Sequence, residues 1–255
     1  MLSSRCEQNA STGIFTCSES HFLYYTFFYF RLLVSELNCY FAYICNKYLG
    51  GIFMSKYYPD ISHYHPVRDW NEVRENCPFL IAKATQGTSY IDETLYTNIR
   101  ECERRGIPYW LYAFLNRGEE EEQARFLVDV CRERVEKHFV GYVLDVESGN
   151  TERGVERALE YLRRQRHKMM LYTMYSEYRM YERIIRRRPP NCAWWEARYG
   201  INNGVYNSRY SAHRGADLQQ FTSNGTCPGI PGRIDLNRIT GQGKRERWFR
   251  DSGKR

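Results

Sequence analysis

Five apolar, β-rich runs separated by helical patterns constrain this chain more than any other feature. Residues 79–85 (FLIAKAT), 107–115 (IPYWLYAFL), 140–146 (VGYVLDV), 168–173 (KMMLYT) and 193–199 (AWWEARY) each read as a buried strand. Helical stretches at 91–105, 118–137, 151–167 and 175–187 lie between them. The first ends at Gly106, a common helix stop, and the second runs from acidic to basic, the order that suits the helix dipole. Strands alternating with helices at this spacing build parallel β/α units. A strand at 57–62 and a helix near 67–75 precede the series; strands at 216–222 and 233–236 close it with no helix between them. A total of about eight strands favours a closed, TIM-barrel-like β/α barrel over an open sheet, irregular in its last third.

The fourth barrel strand continues into an acidic pair, Asp145 and Glu147, before a polar stop. Residues two apart on a strand share a face, so the two carboxylates lie about 7 Å apart along the backbone. Like charges held together off the solvent are costly, and an active site is one reason to tolerate them; a structural ion pair or helix cap is the other. In a β/α barrel the chemistry sits at the carboxyl ends of the strands. Asp60 follows the first strand and Asp235 lies on the last. Those two strands are neighbours in a closed barrel, which sets Asp60 and Asp235 across a pocket from the Asp145–Glu147 pair. Tyr112, Tyr172 and Trp195 fall near the same ends, where a ring either stacks on a sugar or fills the core.

Other chemistries find little support. There is no GxGxxG or GxxxxGK[ST] phosphate loop, so no nucleotide cofactor is expected. His63 and His65 sit in one turn without a placed third ligand, and no metal is expected there. The nine cysteines are scattered without a CxxC pair, a pattern of free thiols rather than of a disulfide framework. The formal charge is +7, and a basic surface suits a polyanion, either nucleic acid or an acidic bacterial wall. Arg186, Arg187, Arg188 and the tail KRERWFRDSGKR read as solvated charge, with attraction to the wall as the functional alternative.

The first 53 residues form a separate problem. Arg5, Arg31 and Lys47 balance Glu7, Glu19 and Glu36, so all the excess charge lies after them. Residues 22–45 are apolar and aromatic but interrupted by Arg31 and Glu36, which are costly inside a membrane. A membrane anchor is one reading. The other is a translated leader, because Gly50-Gly51 can be encoded by a ribosome-binding sequence ahead of Met54. The expected organisation is an N-terminal extension (1–53) outside the fold, a catalytic barrel (54–240) and a basic tail (241–255).

Five segments carry a family likeness: DISHYHPVRDW (60–70), KATQGTSYID (83–92), VGYVLDVES (140–148), WWEARYG (194–200) and DLQQFTSNGTCPGIPGRIDLN (217–237). Together and in this order they resemble the glycoside hydrolase family 25 lysozymes of the CH type. The resemblance implies an N-acetylmuramidase that hydrolyses the β-1,4 bond between N-acetylmuramic acid and N-acetylglucosamine in peptidoglycan. It implies Glu147 as proton donor, Asp145 assisting at the opposite side of the reacting centre, and Asp60 and Asp235 orienting substrate. Tyr112, Tyr172, Trp195, Lys83 and Gln220 are the expected substrate contacts. Glycosidic cleavage needs one carboxyl kept protonated and a negative group beside the oxocarbenium-like state, and Asp145, Asp60 and Asp235 are expected to raise the pKa of Glu147. For a 2-acetamido sugar the acetamido group can act as the internal nucleophile, positioned by Asp145, and the family implies retention of configuration.

The chain departs from the family pattern at Gln86, where Glu is frequent, and at Tyr112-Ala113-Phe114, where YHF is frequent. Peptidoglycan is thus the expected partner, with neither nucleic acid nor a stable membrane contact unless 22–45 is a real segment, and a monomer is expected. The site of action is the bacterial wall, reached by export or by release through a holin or lysis. A non-catalytic barrel that binds peptidoglycan or another polyanion stays open as the alternative.

Overall fold

The computed structural model describes residues 56–147 and 149–252, and the expectations for residues 1–53 lie outside these. The barrel strands are β1 (Pro59–Ile61), β2 (Leu80–Gln86), β4 (Tyr109–Phe114), β5 (Phe139–Val146), β6 (Lys168–Met174), β7 (Cys192–Ala197), β8 (Leu218–Cys227) and β9 (Ile230–Ile239); β3 (Tyr90–Ile91) is a short hairpin partner of β2. The helices are α1 (Trp70–Asn76), α2 (Leu95–Arg105), α3 (Glu120–Cys131), α4 (Glu152–Arg164), α5 (Tyr178–Arg187) and α6 (Glu246–Arg250). Neighbouring barrel strands from β1 through β8, leaving out the antiparallel hairpin strand β3, pair in parallel, and β9 runs antiparallel to both β8 and β1, which closes the barrel. The expected eight-stranded, irregular β/α barrel is therefore the observed fold.

Alternation along each strand splits the core in two. Leu80, Leu111, Leu144 and Leu171 point outward and pack with helix residues such as Ile99, Leu127, Leu159 and Ile185. Phe79, Ile81, Trp110, Val143, Met170, Trp195 and Leu218 point inward and fill the barrel. Each such side chain, fully buried, contributes about 1.5–3 kcal/mol. Gly141 is dictated by this packing, since a Cβ there would collide with the Lys168 carbonyl on the adjacent β6. The five cysteines of the described residues are buried free thiols, in line with the sequence.

Four expectations are corrected. The last strand spans ten residues instead of 233–236, because it forms a long hairpin with β8 that continues beyond the barrel wall. The helix expected from residue 91 begins at Leu95, since Tyr90 and Ile91 pair with β2 first. The helix expected over 118–137 ends at Cys131. Finally, the basic tail is not all solvated charge. Phe249 of α6 is fully buried and stacks on Phe79 with ring centroids 5.4 Å apart, while Trp248 stacks on Trp110 at 5.5 Å. The Trp110 indole Nε1 donates to the Phe249 carbonyl at 2.9 Å. These partners begin their strands, so α6 plugs the amino-terminal end of the barrel and leaves the carboxyl-terminal end open.

Candidate active site

Three buried or half-buried aspartates and one glutamate meet at the barrel's carboxyl-terminal end. Asp60 lies in β1 and Asp145 in β5, 6% and 8% exposed; Glu147 projects just past β5 and is exposed. Asp235 is not at a strand's carboxyl end, as the sequence reading had it, because β9 is antiparallel and Asp235 is interior to it. It reaches the same level by register, since it pairs directly with Asp60.

Asp60 is held by a relay of side chains. The Gln220 amide donates to both of its carboxylate oxygens at 3.0 Å, and Asn237 Nδ2 donates to one of them at 2.7 Å. Each amide is fixed in turn. The hydroxyls of Tyr172 and Tyr199 donate to Gln220 Oε1 at 2.9 and 2.6 Å, and Trp195 Nε1 donates to Asn237 Oδ1 at 2.7 Å. Since an amide oxygen accepts and its nitrogen donates, these partners force both amides to present N–H groups to Asp60.

Asp145 has no such support. Its Oδ1 is buried and has no hydrogen-bond partner among the described residues. Burial and then the neighbouring carboxylates, Glu147 first, push its pKa well above the usual carboxylate range. Burial raises Asp60 to about 6 in spite of its three donor contacts, and burial followed by Asp60 and Glu147 raises Asp235 to about 8. Glu147 reaches solvent, but partial desolvation of its carboxyl at the cleft raises it first and Glu177 next, with Lys83 acting in the opposite direction. The sequence reading named Asp145, Asp60 and Asp235 as the charges acting on Glu147. Those three groups are each coupled to Glu147, which raises them, and Glu177, on the turn after β6, is a further contributor that the sequence did not single out. With several acids and one nearby ammonium, the cluster retains protons near neutral pH.

The remaining expected contacts separate into two kinds. Tyr172 and Trp195 are 4% and 2% exposed and meet edge to face at 4.6 Å, so their rings belong to the barrel interior and their polar tips to the Asp60 relay. Tyr112 is half-buried, with its hydroxyl kept neutral by burial and by Asp145. Lys83 is buried, donates to Gln86 Oε1 at 2.7 Å and sits over the Phe114 ring at 5.2 Å. Asn237, Tyr199 and Glu177 escaped the sequence reading, although Asn237 stands in the quoted segment DLN. Among the described residues, no group of three His, Cys, Asp or Glu side chains is placed to hold a metal ion.

The family description Glycosyl hydrolases family 25 matches residues 59–230. A search of curated proteins gives no match. Among solved structures, the catalytic domain of the endolysin ply40 from a Listeria monocytogenes bacteriophage is 24% identical, with a TM-score of 0.63 over 74% of this chain and 95% of that one. The glycosyl hydrolase 25 virulence factor GHIP of Streptococcus pneumoniae is 22% identical, with a TM-score of 0.66 over 77% and 92%. A bacterial lysozyme from Streptomyces coelicolor is 17% identical, with a TM-score of 0.60 over 78% and 99%. These likenesses concern the fold.

Proposed function

The chain belongs to glycosyl hydrolase family 25, a lysozyme family whose membership implies muramidase activity on peptidoglycan, and we propose that Glu147 is its general acid in cleaving the β-1,4 bond between N-acetylmuramic acid and N-acetylglucosamine. The observation that carries the assignment is the contrast between Glu147 and its neighbour. Glu147 is the one member of the cluster that projects past a strand end into reach of a ligand, and its pKa is raised. A carboxyl kept protonated there can donate to the leaving glycosidic oxygen.

Asp145 lies two residues earlier on the same face, with an oxygen free of any partner among the described residues. The exposed edge of the carboxyl group, rather than that buried oxygen, suits the substrate's 2-acetamido N–H, which would hold the acetamido oxygen against the anomeric carbon during departure of the leaving group. Asp60, fixed by Gln220 and Asn237, forms the opposite wall with Asp235 beside it, and the Asp60 carboxylate supplies negative potential for the oxocarbenium-like state. Lys83 limits how far the combined charge raises the acids.

The test is Glu147→Gln in the full chain. Release of reducing ends from purified peptidoglycan should fall by roughly 100- to 10,000-fold, the usual contribution of a positioned general acid, while cosedimentation with the polymer persists. A wild-type protein that binds peptidoglycan but releases no reducing ends would instead favour the non-catalytic barrel.

A further inference from the structure

A second constellation stands on the turn that follows β1, three residues from Asp60, and the reaction proposed above does not use it. His63 Nδ1 lies 2.9 Å from Asp92 Oδ2, and the same oxygen accepts the His63 backbone N–H at 3.1 Å. Asp92 is 1% exposed, and its other oxygen accepts from the Thr94 backbone N–H and hydroxyl at 3.0 and 2.7 Å. With both oxygens accepting, Asp92 is an ionised acceptor and His63 carries its proton on Nδ1. Nε2 is thereby left as the free position, and it has no hydrogen bond among the described residues.

Two tyrosines flank the imidazole. Tyr90 Oη lies 3.2 Å from His63 Nδ1, and the Tyr90 ring is also 5.8 Å from the Lys83 ammonium inside the barrel mouth. Tyr90 therefore lies between His63 and Lys83. On the other side Tyr64 packs against the His63 ring at 3.9 Å while remaining 76% exposed, the most exposed large apolar side chain among the described residues. A flat ring left in water, braced by an imidazole that a buried carboxylate holds in one tautomer, is an arrangement with no evident use in the core.

We propose that His63 and Tyr64 form an outer sugar subsite at the rim of the cleft, with Asp92 as the positioning residue behind it. The free face of Tyr64 would take the apolar face of a pyranose ring, and His63 Nε2 would accept a hydrogen bond from a sugar hydroxyl or an acetamido N–H. The expected ligand is the glycan strand itself, one or more residues away from the bond cleaved. This assignment rests on the peptidoglycan reading above, but its test does not need turnover.

Full-length protein with Glu147→Gln is compared with the same protein carrying Tyr64→Ala or His63→Ala, using cosedimentation with purified peptidoglycan. Each added change should weaken binding roughly fivefold to twentyfold, the scale of one lost stacking or hydrogen-bonding contact. In the active protein, either change alone should raise KM by a similar factor and leave kcat within about twofold, as loss of uniform binding requires. His63→Ala also vacates the Asp92 contact, so Tyr64→Ala, at an exposed position, keeps the test clear of folding defects. Binding and KM unaltered by Tyr64→Ala overturn the subsite. A fall in kcat with unchanged KM overturns it as well. An inactive wild-type protein whose binding still weakens on Tyr64→Ala defeats the muramidase reading and leaves the subsite standing.

Discussion

Asp60 and Asp235 oppose one another directly across the antiparallel pair of β1 and β9, the position at which two like charges repel most. Neither is matched by a cation there among the described residues. The repulsion is eased by a proton, and Asp235, which lacks the donors that hold Asp60, is the member pushed higher, to about 8. Glu177→Gln removes the carboxylate that raises Glu147 and should ease proton loss from it. The alkaline limb of the pH–activity profile should then move to lower pH. A limb that stays in place or moves to higher pH would sink this account of the coupling.

Stability should fall as pH rises through the same groups. A carboxyl with a folded pKa above its unfolded value binds more protons in the folded state between the two, so its contribution is complete below the unfolded pKa and is lost through the folded one. For Asp60 the window runs from the ordinary 3.8 to about 6, and for Asp235 from 3.8 to about 8. Asp92 and Glu246, with lowered values, act oppositely, and their contribution is lost as pH falls through the acid range. The melting temperature should therefore decline by several degrees between about pH 5 and pH 9, as a loss of one to a few kcal/mol implies. Calorimetry of the wild type and Asp235→Asn checks this, with the flatter curve expected for the variant.

The relay around Asp60 gives a different pH signature. Asn237→Ala removes a donor from a buried carboxylate and leaves the Trp195 indole N–H unpaired. The cost should be about 1–3 kcal/mol. It should be larger above pH 7, where Asp60 is ionised, than near pH 5, where a proton replaces the missing donor. Denaturant unfolding at the two pH values would show it, and equal losses at both would mean that Asn237 acts through packing alone.

Phe249 should matter for stability and little for chemistry. It is fully buried against Phe79 at the amino-terminal end of the barrel, with the acids at the other. Phe249→Ala should cost about 3–5 kcal/mol through the cavity it leaves. Activity well below the melting temperature should remain within about twofold, given that no acid of the cluster touches α6. A large loss of kcat in a folded variant would contradict that separation.

Much of this was legible in the sequence because barrel strands leave continuous apolar runs, and an acidic pair at the end of one stands out against them. The Asp145–Glu147 pair and its placement opposite Asp60 follow from period and order alone. The full length of β9 was hidden because Pro231 and Gly232 are residues disfavoured in strands, although they lie inside a ten-residue strand. Phe249 was masked by the arginines around it, since α6 has too few residues to display a periodic apolar face. Gln220 drew notice through its family segment. Its partner Asn237 did not, because a polar residue inside a strand acquires meaning only when its cross-strand neighbours are known.

The relay that fixes Asp60 joins residues 177 positions apart in the chain, the first barrel strand to the last. Contacts this distant form late, after the intervening units have docked. During synthesis the acid pair of β5 is made long before the strand that completes its opposite wall. A nascent or truncated chain ending before β9 has Glu147 but not the counterpart of Asp60, nor the edge that closes the barrel. A chain cut before β9 should therefore lack hydrolytic activity although it contains Glu147, because closure of the barrel, and not the β5 segment alone, completes the site.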